Sequence, residues 1–176
     1  SERNSAALVH AFEEEKLLPL VSPALTGAKV DHAGFAKLQK AKQILPFGLD
    51  LHIDHSALFF HFLAEKLTPK ERASLVSSLG MDKAAVEAWQ KLETKAKKLE
   101  KELQSAKLAK PSALYQLLSK VPGDQLLFLM AKSSQRIVND RIRNYLQKYL
   151  PAAQEVTDRE VEVAGGVPGT PKFQKL

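Results

Sequence analysis

The sequence has no cysteine, which excludes disulfides, thiolate metal sites and a cysteine nucleophile. It has no apolar run approaching the roughly 20 residues that a membrane-spanning helix needs. Its start, Ser1-Glu2-Arg3-Asn4, lacks the charge pattern and apolar stretch of a signal peptide. These absences lead us to expect a soluble protein of the reducing cytoplasm with no membrane partner. Gly-x-Ser-x-Gly is also missing, and with it the strained nucleophile turn of a serine hydrolase. Gly165-Gly166 and Gly169 lack the lysine-serine ending of a phosphate-cradling loop and the strand before a dinucleotide fingerprint. Apart from Arg159 to Val163, which also fits a capped helical turn, no stretch alternates in the β manner.

What is present is apolar spacing of helical period. With 44% hydrophobic residues in a chain of 176, a core can be buried without staples. Leu8, Ala11 and Phe12, backed by Glu13 to Glu15, fit a short helix ending before Pro19, and residues 17–25 then form an apolar connector. Phe35, Leu38, Ala41 and Leu45 mark a second helix, closed by Pro46 and Gly48. Asp54 or Ser56 can cap a third. Thr68-Pro69-Lys70-Glu71 reads as a capping box opening a fourth helix, which Gly80 stops.

Asp82 begins the longest run, through Val86, Trp89, Leu92, Ala96, Leu99 and Leu103, with Glu and Lys alternating on its outer face. Residues 107–111 break the pattern, and two short apolar helices follow, separated by Pro122-Gly123. Ser134 can cap a final long helix through Ile137, Ile142, Tyr145, Leu146 and Tyr149, stopped by Pro151. The expected fold is all-α, a bundle-like array of seven or eight helices with a short Pro/Gly-rich C-terminal tail. We divide it into a helical body over 1–110, a helical region with a basic helix over 111–150, and a tail over 151–176.

Two constellations carry chemistry in principle. His52, Asp54, His55 and His61 offer imidazole and carboxylate ligands, but His55 and His61 do not share a helix face and His52 precedes the cap. His10 and His32 stand alone, so no metal site is expected. The second constellation is basic. The surplus of 26 Lys+Arg over 20 Asp+Glu, a formal charge of +6, favours polyanionic partners. On the final long helix Lys132, Arg136 and Arg143 are spaced to share one face, and Arg141 and Lys148 extend the strip. Guanidinium forks match phosphate geometry, and Tyr145 could pack or stack nearby. The plainer alternative is a solvated face with Asp140 as internal partner. Lys91, Lys95, Lys97, Lys98 and Lys101 form another strip, partly neutralised by Glu93, Glu100 and Glu102.

The order of short motifs resembles the carboxy-terminal body and tail of bacterial tRNA nucleotidyltransferases of the CCA-adding or poly(A)-polymerase-like type. Leu17-Leu18-Pro19-Leu20-Val21-Ser22-Pro23-Ala24-Leu25 resembles the family's Leu-Leu-x-x-Leu-x-Pro-x-Leu segment. Residues 112–118 and 126–131 resemble its paired helices near the tail. Val156-Thr157-Asp158-Arg159-Glu160-Val161 stands where the family has Leu-Thr-Gly-Arg/Lys-Asp-Leu, with Asp158 replacing the glycine. Residues 165–173 resemble its Gly-x-x-Pro-Gly-Pro-x-Phe/Tyr, with Thr170 added before Pro171.

The resemblance implies a role in gripping the acceptor/TΨC half of tRNA. It marks Thr157, Gly165, Pro168 and Gly169 as the tail motif and adds Arg159 and Lys172 to the RNA-contacting set. It implies no catalytic residue and no cofactor in this chain, because Mg2+ and CTP or ATP belong to the family's amino-terminal head and neck. The expected partners are therefore tRNA and that head and neck. The competing expectation is a helical protein-interaction module using residues 82–105 as a partner surface, its apolar stripe partly exposed. A stand-alone metalloenzyme built on the histidines is a third.

Overall fold

The structure, a computed structural model, describes residues 5–156 together with Glu160 and Val163. The tail-motif residues Thr157, Gly165, Pro168 and Gly169, the expected RNA contacts Arg159 and Lys172, and most of the β-alternating stretch lie outside the described residues. Among the described residues every regular element is helical.

Helix α1, Ser5–Glu14, ends in a left-handed residue, Lys16, at φ 54°. The Leu17 N–H then reaches back to the Phe12 carbonyl at 2.7 Å, which satisfies an otherwise orphaned acceptor. Helix α2, Leu18–Val21, is a single turn with Pro19 in its first positions. A 3-10 turn over Gly27–Lys29 leads to α3, His32–Lys42. The expected run to Leu45 tightens after Lys42 into i→i−3 bonds, because Pro46 disfavours α geometry in the residue before it.

Short-range polar side chains set the next three starts. Asp54 opens α4, His55–Ala64, by accepting the Ala57 N–H at 2.8 Å. Thr68 and Glu71 cap each other's backbone at α5, Pro69–Ser78, and Gly80 closes that segment at φ 58°. Asp82 accepts the Ala85 N–H at 2.7 Å to open α6, Lys83–Leu103. A 3-10 turn at Ala106–Ala109 leads to α7, Pro111–Leu118, and Pro122 precedes α8, Gly123–Lys132.

The last long helix differs from expectation at both ends. Ser133 is extended, and the helix starts afresh as α9, Arg136–Asn144, with Gln135 at the cap position and no side-chain cap bond. Ser134 therefore does not cap it. Ser133 instead accepts the Gln135 N–H at 3.1 Å, and the Asn139 side-chain amide donates to the Ser133 carbonyl at 3.0 Å. Pro151 does not stop it either. A π-helical turn over Tyr145–Tyr149 leads into α10, Leu150–Glu155, with Pro151 in its first turn. The wider turn accommodates a residue that has no N–H and whose ring clashes with an ordinary i−4 carbonyl. All eight expected helices are present among the described residues, and α2 and α10 are additions.

Helix α8 lies at the centre. Leu126, Leu127, Phe128, Leu129 and Ala131 are all buried, and the helix packs on α3 and α6, while α6 also packs on α4. Trp89, Leu92, Ala96, Leu99 and Leu103 line the buried side of α6. At about 1.5–3 kcal/mol for each large side chain removed from water, this seam is a major contributor to the core. One cluster of buried apolar residues runs from Val9 to Leu150, with members on both sides of the largely exposed turn at residues 107–111.

Candidate functional site

The fold treats the expected basic residues in two ways. Lys132, the last residue of α8, turns inward. Its ammonium donates to Glu65 Oε2 at 2.5 Å, stands 3.6 Å from Asp31 Oδ2 and lies 4.8 Å from the centre of the Phe62 ring. Asp31 is also 3.7 Å from the Lys66 ammonium. Burial pushes the Asp31 carboxyl up, but the Gly34 backbone amide and the Lys132 and Lys66 charges outweigh it and hold the group below its ordinary value. This cluster ties the start of α3 to the ends of α4 and α8. Because the chain breaks at Ser133, Lys132 and Arg136 do not share a continuous helix face as the spacing suggested.

Arg141 is spent in a similar way. Its guanidinium donates to the Leu103 carbonyl and, at 2.9 Å, to the Ser105 carbonyl, covering acceptors at the end of α6. Arg136, Arg143 and Lys148 point outward. Arg136 is 95% exposed with Asp140 at 3.5 Å along the helix, and Arg143, two turns further on, is exposed, as is Lys148. Val138 and Ile142 bury the opposite side of α9. Tyr145 belongs to that interior: it is buried 5.9 Å from the Tyr115 ring, and burial first, then Tyr115, pushes its hydroxyl up to about 12. It is not a stacking platform.

On α6, Lys91 pairs with Glu87 at 2.6 Å and Lys97 with Glu93 at 2.5 Å, while Lys95, Lys98 and Lys101 are exposed. Glu100 accepts the Ser133 hydroxyl across the gap between α6 and the α8–α9 turn. Arg136 and Arg143 are thus the exposed guanidiniums of α9, while the exposed side of α6 is of mixed charge.

The four histidine-region residues weighed for metal do not gather. Asp54 is used as a cap, and His61 lies edge-on to Phe128 at 4.9 Å. Burial pulls the His61 imidazole below its ordinary pKa despite nearby Glu65. His10 and His32, by contrast, are not isolated. The packing of α1 on α3 brings their rings to 5.0 Å, with Glu13 Oε2 2.9 Å from His32 Nε2. His10 and Glu13, three apart on one helix, were a legible half of this cluster; its other half is 22 positions along the chain and closes through tertiary packing.

These features define an all-helical protein with an arginine-bearing helix face and no membrane-crossing helix among the described residues. Compared with protein-family models, curated proteins and solved structures, the chain gives no match.

Proposed function

We propose that this chain grips RNA by its phosphates, as the tRNA-holding portion of a tRNA nucleotidyltransferase, with the outer side of α9 and the following π turn as contact surface. The observation that carries the reading is that Arg136 and Arg143, two turns apart on one exposed face, are not needed by the core that consumes Lys132 and Arg141. Guanidiniums held at that spacing on a rigid helix suit a row of phosphates. The sequence resemblance supplies the kind of RNA: the stacked acceptor and TΨC arms, an A-form rod whose major groove is too narrow for side chains and which is held by shape and backbone. On this reading the protein works in the cytoplasm. Nucleotidyl transfer, with its Mg2+ and CTP or ATP, belongs to a head and neck outside this chain.

The interaction-module alternative requires the apolar stripe of α6 at the surface. Trp89, Leu92, Ala96, Leu99 and Leu103 are buried within the chain's own core and only Val86 of that stripe is half-exposed, which favours the RNA reading. The RNA reading is tested by fluorescence anisotropy of a labelled acceptor-TΨC minihelix titrated with the full chain at several salt concentrations. Binding that weakens steeply with salt and barely distinguishes sequences is expected. No binding at low salt would remove the reading.

A further inference from the structure

His10, Glu13 and His32 lie on α1 and at the first position of α3, and the RNA reading makes no use of them. One ligand atom from each lies within 4.8 Å of the other two. His32 Nε2 and Glu13 Oε2 are 2.9 Å apart, and the His10 ring is tilted 32° to that of His32 at 5.0 Å. We propose that these three side chains form a binding site for a divalent first-row transition ion, with Zn2+ as the probe.

The chemistry of the donors selects the class. Two imidazoles and one carboxylate, without a thiolate, suit zinc and its neighbours better than magnesium or calcium, which favour oxygen cages. The geometry is close to what such an ion needs. Bonds of about 2.0–2.1 Å in a tetrahedral arrangement put donor atoms roughly 3.4 Å apart, so the present spacing closes with side-chain shifts of about 1 Å. His10 is exposed and Glu13 and His32 are half-buried, which leaves an entry path and a fourth position open to water. The ion would replace a single His32–Glu13 contact with a three-point link, tying α1 to α3. No other trio of His, Asp and Glu among the described residues brings its ligand atoms this close.

The test is calorimetric titration of the tag-free full chain with ZnCl2, together with thermal melting with and without the ion. The expected result is one Zn2+ per chain and a raised Tm. His10→Ala and His32→Ala should each weaken binding by about tenfold or more, since even the loss of an outer-shell partner costs ligated metals that much. His10→Ala leaves the His32–Glu13 contact in place, so its fold, checked by circular dichroism, is expected to persist. A His52→Gln/His55→Gln double variant should bind as the parent does. Absence of stoichiometric binding by the parent chain, or binding unchanged in either single-alanine variant, overturns the site.

Discussion

Lys132 holds two carboxylates and an aromatic ring in one place, and its partner Glu65 is 67 positions away in the sequence. With a quarter of the Lys132 side chain still exposed, solvent screens part of this attraction. Removing the ammonium would nevertheless leave Asp31 and Glu65 facing each other in a partly buried pocket. Lys132→Ala is therefore expected to lower stability by about 1–3 kcal/mol in urea unfolding, and to leave RNA affinity unchanged once the protein is folded. Lys16 presents the opposite case, a side chain in a backbone region that favours glycine. Lys16→Gly should raise stability by about 0.5–1 kcal/mol, because the strain of a left-handed non-glycine residue disappears and the end of α1 keeps its backbone bonds. A decrease in the urea midpoint would show that this turn is held by the lysine side chain.

Among the helices, those opened by local chemistry were legible and those decided by distant contacts were not. Asp54, Thr68 with Glu71, and Asp82 each cap a backbone amide three residues on, so the starts of α4, α5 and α6 follow from neighbouring residues alone. Thr68→Ala removes the hydroxyl that accepts the Glu71 N–H while leaving the backbone N–H of residue 68 to donate to the Glu71 carboxylate, and should cost about 1 kcal/mol in the same unfolding measurement. A variant as stable as the parent would mean that packing alone fixes α5. The basic helix had no such local signature. Ser133, where the helix breaks, donates its hydroxyl to Glu100 of α6, and Arg141 is drawn to carbonyls 36 and 38 positions back. Periodicity gave the face of Arg136 and Arg143 correctly but could not separate them from cations that the fold consumes. The π turn before Pro151 was also hidden, because the proline reads as a stop and only the packing of Tyr145, Leu146 and Leu150 makes continuing worthwhile.

For the molecule as a whole, a few titratable groups shifted by their surroundings set the acid limb of stability. His61 and His55 are both pulled below 6.5 by burial first, so the folded state resists protons that the unfolded chain accepts. Their contribution is complete above the unfolded value of 6.5 and is lost as pH falls through it towards the lower folded values. Glu71, held down to about 2 first by its hydrogen bond from Lys29, adds a second stage, lost between its ordinary 4.5 and about 2. Asp124, whose carboxyl burial pushes up, opposes that second stage. Stability measured from pH 8 to 5 should therefore decline, and His61→Leu should flatten the decline; an equally steep curve in the variant would assign the slope elsewhere. The central claim concerns the outer face of α9, and it is tested most directly by the salt dependence of minihelix binding for the parent chain beside Arg136→Gln/Arg143→Gln. Neither side chain supports the core, so the double variant should fold as the parent does. It should bind more weakly at low salt and lose about one unit, or slightly less, of log–log salt slope for each phosphate contact removed. Parent-like affinity and slope in a folded double variant would contradict the assignment of the RNA-gripping surface to this helix.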